Sequence, residues 1–140
     1  MNNIIQQICE NYISEVLDFF GGRELRKIDE IEKNLKEKTD KYLREIIKVY
    51  LEGIDEAIAQ DKVNRAKKGY VVERKADKRE IYTVFGNLEF NRRYYKNKLY
   101  GQYEYLLDKA VGIENYDRVS GTVSAALVEY ATEVSYQKSS

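Results

Sequence analysis

The first part of the chain carries an apolar stripe at helical spacing. Between residues 3 and 20, apolar side chains recur every three or four positions, which is the spacing of one face of an α-helix. The stripe comprises Ile4, Ile5, Ile8, Tyr12, Val16 and Phe19 or Phe20. Gly21 and Gly22 follow directly, and glycine is common just past a helix end. The pattern predicts a first helix over residues 3–20.

A second apolar stripe runs from residue 23 to about residue 60, with no proline to interrupt it. Its members are Leu25, Ile28, Ile31, Leu35, Tyr42, Ile46, Val49, Gly53 or Ile54, and Ala57. A helix of this length is on the order of 50 Å long, too long for a small sheet to cover. Either the first helix folds back along it as a helical hairpin, or a second copy of the chain pairs with it.

The middle of the chain changes to strand character. Residues 80–85 and 88–95 alternate in polarity and are rich in aromatic and β-branched side chains, as strands are. Gly86 and Asn87 lie between them. A two-residue loop with glycine first suits a type II′ turn, because glycine accepts a positive φ at that position. A β-hairpin is therefore predicted here.

That turn fixes which residues face each other across the hairpin. The pairs on the predicted core face are Phe85–Leu88, Thr83–Phe90 and Ile81–Arg92. The opposite face carries Val84–Glu89, Tyr82–Asn91 and Glu80–Arg93. The last pair predicts an ion pair across the two strands. A slip of one residue would exchange the two faces.

The remaining elements are shorter. Residues 70–73 are expected to form an opening strand and residues 75–78 a turn, and a third strand over residues 99–105 follows a turn at residues 96–98. Residues 105–111 predict a short helix that Gly112 ends, and Asp117 is the predicted N-cap of a last helix over residues 118–136. The sheet has three or four strands, all antiparallel because the connections are short.

These elements predict an α+β fold with three parts. Residues 1–61 form a helical arm of two helices, residues 62–105 a basic, tyrosine-rich β-meander, and residues 106–140 the C-terminal helices. A chain of 140 residues fits one domain, or a small domain with an extension.

Composition argues against several kinds of chemistry. The chain has no histidine and a single cysteine, Cys9, so we expect no zinc site, no Ser-His-Asp or Cys-His catalysis and no internal disulfide. Cys9 lies beside the first apolar stripe and is expected to be a small packing residue. No phosphate-binding glycine loop and no cluster of acidic residues with metal spacing is present. We therefore expect no catalytic residue and no cofactor in this chain. Without an apolar run of about 18 residues or a signal peptide, the expected location is the cytoplasm.

The net charge of zero conceals a strong asymmetry. Residues 62–98 carry a net charge of +8, against −5 for residues 1–61 and −3 for residues 99–140. Such a basic block suits contact with the phosphates of a nucleic acid. The predicted contact residues are Arg65, Lys67, Lys68, Arg92, Arg93, Lys96 and Lys98. The alternative is a basic face that only keeps the chain in solution or pairs with the acidic helices.

Tyrosines are concentrated in the same region. Seven of the thirteen lie between Tyr82 and Tyr116, where their rings could stack on exposed bases. The structural alternative is that Tyr94, Tyr95 and Tyr105 cover the sheet against the helices.

One set of short motifs resembles a known family. The order Thr83-x-Phe85-Gly86, Arg93-x-Tyr95, Tyr105-Leu106-Leu107-Asp108, Gly112-Ile113, Arg118-Val119-Ser120 and Ser135-Tyr136 is similar to the N-terminal part of the ISLre-type transposases. Ile54-Asp55 at the end of the long helix also fits. These bacterial insertion-sequence enzymes are grouped as an uncharacterised protein family, UPF0236. No single motif is specific, but together they span nearly the whole chain.

The resemblance implies a function. A transposase of this kind is longer, and its catalytic domain, ribonuclease-H-like with an Asp-Asp-Glu triad and divalent metal, lies further along the chain. Nothing in this chain matches that triad, so the chain is expected to be a truncated, non-catalytic region that binds the DNA ends of the element and supports assembly. The competing expectation is a protein-interaction module that self-associates through the long helix and binds no nucleic acid.

Overall fold

The structure, a computed structural model, describes residues 2–139, apart from the side chains of residues 136–139. Its elements in chain order are α1 (Asn2–Phe20), α2 (Ile28–Gln60), α3 (Lys62–Lys68), β1 (Tyr70–Thr83), β2 (Gly86–Asn97), β3 (Tyr103–Glu104), α4 (Leu106–Val111) and α5 (Gly121–Ser139). The predicted α+β class is confirmed. The Ser135-Tyr136 motif falls partly on side chains outside the described residues.

Helices α1 and α2 form a hairpin within one chain. The hydroxyl groups of Tyr12 and Thr39 lie 2.8 Å apart, and the rings of Tyr12 and Tyr42 are 5.5 Å apart. Lys41 Nζ lies 3.6 Å from a carboxylate oxygen of Glu15. Burial, together with this neighbouring Glu15 carboxylate, raises the pKa of Tyr42 to about 12. The first helix therefore folds back along the second, which the apolar stripes alone left open.

The residues directly after α2 form a short helix, α3. The side chain of Asp61 accepts a hydrogen bond from the backbone N–H of Asn64, so Asp61 ends α2 and caps α3. Gly69, with φ of 81°, ends α3. Aspartate at an N-cap and a left-handed glycine past the last turn are common helix boundaries. This boundary turns the chain from the helical hairpin into the sheet.

The sheet has three antiparallel strands in the order β1-β2-β3. The turn predicted at residues 75–78 does not form. Instead β1 continues through this stretch, with shifts in register on either side of Arg74. These register shifts are β-bulges, in which one strand has an extra residue and the pairing continues beyond it. The third strand is shorter than predicted, covering only Tyr103–Glu104.

The register predicted for the hairpin is wrong. Ile81 pairs with Leu88 rather than with Arg92, and Thr83 pairs with Gly86, so Val84 and Phe85 form the turn. Arg44 of α2 donates a hydrogen bond to the Phe85 carbonyl oxygen. Gly86 has φ of 103°, and a Cβ there would lie 2.8 Å from Arg44 Nη1. The glycine is needed beside the turn rather than within it.

The two faces of the hairpin are nevertheless those that the sequence predicts. The partner of Ile81 moves from residue 92 to residue 88, an even shift, and side chains alternate with a period of two. Ile81, Leu88 and Phe90 are buried as expected. The predicted Glu80–Arg93 ion pair does not form, because Glu80 lies opposite Glu89. Lys78 Nζ lies between these two glutamate carboxylates, at 3.6 and 3.1 Å.

The core lies between the hairpin, the second half of α2 and α4. Its buried members are Leu51, Ile81, Leu88, Phe90 and Leu107. The hydrophobic face of α2 changes partner along its length, since Tyr42 contacts Tyr12 of α1 whereas Leu51, further along the helix, packs in the core with the sheet. The long helix therefore needs no second copy to cover this second half.

The last helix begins later than predicted. Residues 118–120 pair with β1 instead, because Tyr82 N donates to the Arg118 carbonyl and Ser120 N donates to the Tyr82 carbonyl. Ser120 is the N-cap of α5, since its hydroxyl accepts from Val123 N at 3.2 Å. Asp117 instead closes the preceding turn by accepting from Glu114 N.

Helix α5 leaves the body of the protein after its first turn. Val123 is buried against the sheet, whereas Leu127, Val128 and Tyr130 are more than half exposed. Within residues 2–139, no helix combines the length and the apolar character that crossing a membrane requires.

Candidate nucleic-acid interface

The basic residues of the middle segment fall into two groups in the structure. Some are paired with carboxylates or with backbone carbonyl groups inside the fold. Others project from the surface without a carboxylate partner. Only the second group suits phosphate binding, because a phosphate must compete with any partner that a cation already has.

Arg92 belongs to the first group, because its side chain is buried and its donors already have partners within the fold. Its side chain is only 5% exposed and pairs with Asp108 at 3.3 Å. Nη1 donates to the carbonyl oxygens of Asp77 and Lys78. The guanidinium carbon lies 3.6 Å from the centre of the Tyr105 ring. With its donors turned inward, Arg92 connects β1, β2 and α4 and does not reach the surface.

Arg93 is likewise held inside the fold. Its Nη1 and Nη2 atoms lie 2.6 Å from carboxylate oxygens of Asp55 and Glu56. Its backbone N–H also donates to Asp55. Hydrogen bonds from Gln60 and Arg93 lower the pKa of the Glu56 carboxyl. The Arg93 charge is neutralised by α2, so a phosphate contact would require breaking these pairs.

Arg65 joins the end of α2 to the start of the sheet. Its Nε and Nη2 atoms donate to the Ala59 carbonyl oxygen, and Nη1 donates to that of Tyr70. These partners carry no net charge, so the positive charge of Arg65 still contributes to the local electrostatic potential.

Four of the predicted residues remain available at the surface. Lys67, Lys68 and Lys98 are exposed, and Lys96 is half-buried. None of the ion pairs between described residues involves them. Lys62 belongs to the same basic segment but not to the seven predicted contacts, and it is equally exposed and unpaired within residues 2–139.

Tertiary structure brings these lysines to one corner of the molecule. Lys98 N donates to the carbonyl oxygen of Gly69, the residue that ends α3. Lys62 and Lys98 line the same cavity, of about 320 Å³. Lys67 and Lys68 lie in the last turn of α3. We call Lys62, Lys67, Lys68, Lys96 and Lys98 the lysine corner. Neighbouring cations that form no ion pair raise the local positive potential, which attracts phosphates.

Most tyrosines near the sheet have structural roles. Tyr95 is fully buried, and the rings of Tyr94 and Tyr105 are 4.6 Å apart. The Tyr105 hydroxyl donates to Asp77. Hydrogen bonds from Arg74 and then Tyr105 hold the pKa of the Asp77 carboxyl below its usual value. These residues cover the sheet, as the structural alternative expected, and have little ring surface left for a base.

Two other tyrosines offer ring surface beside the lysine corner. Tyr100 is 76% exposed in the loop between β2 and β3, and Tyr103 is 45% exposed. Lys96 Nζ lies 5.8 Å from the centre of the Tyr103 ring. Sequence patterns do not separate these two from the buried tyrosines, because all belong to the same aromatic run.

No three side chains of His, Cys, Asp or Glu within residues 2–139 come together as a metal site would require. Cys9 is exposed on α1, so the packing role expected for it is wrong. Chemically, the ammonium groups of the corner can attract anions, and the exposed rings beside it can stack on a flat ligand.

Comparison with known proteins gives one family. The family model of UPF0236, described as an uncharacterised protein family, matches residues 23–140. A protein named UPF0236 protein TTE2489, from Caldanaerobacter subterraneus subsp. tengcongensis, is 43% identical over 100% of this chain and 30% of its own length. A second protein of that organism is 42% identical over 99% of this chain and 29% of its own length, and its name joins eleven numbered designations.

The chain thus spans about 30% of the length of these relatives. No solved structure matches it. On the family match and on identity over its full length, the chain belongs to the uncharacterised protein family UPF0236.

Proposed function

We propose that this chain is the DNA-binding and assembly region of a transposase of the ISLre type, and that it carries no catalysis of its own. The observation that carries this proposal is the lysine corner, which groups five cations without a carboxylate partner among the described residues. Such a surface binds a phosphate backbone by releasing condensed counterions. Contacts of this kind fix the position of a protein on DNA.

Two features of the relatives support the same proposal. They are more than three times as long as the part that this chain covers, which leaves room for a separate catalytic domain. One relative bears eleven designations within a single organism, as a sequence present in many genomic copies would. Mobile elements produce such copies, and the protein that moves them binds the DNA ends of the element.

The proposal is tested by duplex-DNA binding across a salt series. We expect the wild-type chain to bind with an affinity that falls linearly in log salt, and to prefer the element ends over a scrambled duplex. Neutralising three lysines, in K67Q/K68Q/K98Q, should weaken binding at least about tenfold and reduce the salt slope by about 0.9 for each phosphate that the protein no longer neutralises. Fluorescence anisotropy of a labelled duplex measures both quantities.

A matched control variant distinguishes binding at the lysine corner from a general effect of the net charge of the protein. The variant K33Q/K36Q/K48Q removes the same charge from exposed lysines of α2 and should leave the salt slope within experimental error of wild type. Equal losses of affinity in the two triple variants would contradict the lysine corner as the binding surface. Absence of any binding at low salt would overturn the proposed function as a whole.

Self-association is the second candidate, and one observation favours it. Ile13, Leu17 and Phe20 share the outer face of α1, and each is half or more exposed. The hairpin covers only the inner face of α1, so this stripe is free to pack on a second copy. We propose this stripe of α1 as the self-association surface, and the long helix, to which the sequence assigned that role, remains the alternative surface.

Light scattering coupled to size exclusion tests this second candidate. We expect a dimer in the wild-type chain and a monomer after L17K, because a lysine in the stripe opposes its burial. Val63 is similarly exposed on α3, so V63K serves as the control and should remain dimeric. A wild-type chain that stays monomeric at high concentration would exclude this surface as an interface.

A further inference from the structure

The loop between β2 and β3, residues 98–102, is held in one conformation by a buried side chain. Asn97 is only 5% exposed, and its Oδ1 accepts hydrogen bonds from Leu99 N at 2.9 Å and Tyr100 N at 3.3 Å. Its backbone also bonds to Gln102 and Gly101, at 2.7 and 2.8 Å. One asparagine therefore organises both ends of the loop.

A second anchor fixes the loop against α3. Lys98 N donates to the Gly69 carbonyl oxygen at 2.8 Å. The side chain of Leu99 lies over Gly69, where a Cβ would come within 2.7 Å of Leu99 Cγ. The φ angle of Gly69 is also positive, at 81°. Glycine is therefore favoured here for two reasons, the close approach of Leu99 and the left-handed backbone conformation. The loop and the lysine corner are therefore parts of one rigid surface.

This rigid loop exposes an aromatic ring that the fold does not use. Tyr100 is 76% exposed, and no hydrogen bond or ring contact between described residues involves its side chain. Lys98 lies two residues before it, and Lys96 and Tyr103 lie at the base of the loop, paired across the sheet. An exposed ring contributes little to folding, whereas an exposed ring on the same loop as Lys98 suits a ligand with both a flat face and phosphates.

We propose that loop 98–102 binds an unpaired nucleotide of DNA, with the Tyr100 ring stacking on its base and Lys96 and Lys98 contacting the flanking phosphates. Base–aromatic stacking needs a base whose face is free. Bases inside a duplex are covered on both faces, so the ligand is a single-stranded overhang or gap. This inference rests on the proposed function, because it specifies which form of DNA the lysine corner receives.

The experiment compares two labelled duplexes with the full 140-residue chain, one blunt and one with a short single-stranded overhang. We expect wild type to prefer the overhang. Tyr100→Ala should lower affinity for the overhang about tenfold, as removal of one base–aromatic stack does, and leave affinity for the blunt duplex and both salt slopes unchanged. Tyr100→Phe keeps the ring and should bind the overhang within about twofold of wild type.

Tyr116 provides the matched control, because it is 94% exposed and lies outside the loop. Tyr116→Ala should bind both substrates as wild type does, and thermal melts should be unchanged for all three variants. Equal losses of affinity on the two substrates, or the same loss in Tyr116→Ala, would overturn the stacking role. Lysine-dependent binding without any effect of Tyr100→Ala overturns only this inference, whereas absence of DNA binding by wild type overturns the proposed function itself.

Discussion

Replacing Arg92 with alanine is expected to destabilise the chain by about 3–5 kcal/mol, the range for removing one partner of a buried ion pair. The two side chains of the Arg92–Asp108 pair are 5% and 4% exposed, so the Asp108 carboxylate would remain buried without its counter-charge. The variant also lacks the hydrogen bonds to the Asp77 and Lys78 carbonyl groups. Urea denaturation followed by circular dichroism measures the free energy of unfolding.

Two controls define the cause of this destabilisation. The double variant Arg92→Met, Asp108→Leu removes both charges and should recover much of the stability, since a well-packed apolar pair often replaces a buried ion pair without penalty. Arg74→Ala removes an arginine from an exposed pair with Asp77 and should cost less than about 1 kcal/mol. A destabilisation below about 1 kcal/mol for Arg92→Ala would contradict its assignment to the interior.

Replacing Phe90 with alanine is expected to lower the free energy of unfolding by a similar amount, about 3–5 kcal/mol. Phe90 is 1% exposed in the middle of β2, within a cluster that includes Leu51 of α2 and Leu107 of α4. Removing its ring leaves a cavity where three elements meet, and the strand and helix backbones limit how far the neighbours can close it. The free energy of unfolding from urea denaturation is the measurement.

Leu127→Ala is the matched control for Phe90. Leu127 is 57% exposed on α5, and its truncation should change stability by no more than about 0.5 kcal/mol. A large destabilisation by Leu127→Ala would show that α5 packs on the body beyond its first turn. A value below about 1 kcal/mol for Phe90→Ala would contradict the core described between the hairpin, α2 and α4.

For the candidate interface, the sequence located the basic segment but could not show which of its basic residues are exposed and which are paired inside the fold. Of the seven residues predicted, Lys67, Lys68 and Lys98 are exposed, whereas Arg92 is buried against Asp108. Arginine and lysine look alike in a count of charge. They differ in use because the planar guanidinium can satisfy several buried acceptors at once, whereas an ammonium group is hydrated more strongly. The buried positions here are taken by arginines that join elements.

The sequence by itself determined the two long N-terminal helices, the short helix α4, most of the strand segments and the faces that they bury, but neither α3 nor the start of α5. These features depend on the spacing of side chains within one element. In a strand, side chains alternate between the two faces, so an even shift in register leaves each side chain on the same face. Hence the sequence assigns Ile81, Leu88 and Phe90 to the core although their predicted partners are wrong. The α+β class followed from the same local patterns.

Only the tertiary structure decided the partners. The hairpin turn depends on Arg44, which lies 41 residues before the Phe85 carbonyl that it binds. The pairing of Arg93 depends on Asp55, 38 residues away. Local periodicity carries no information about which distant side chain arrives at a given site, because many partners would satisfy the same pattern. The fold class could therefore be predicted from the chain, whereas the tertiary structure was needed to distinguish the paired arginines from the exposed lysines and to show that Tyr100 is exposed.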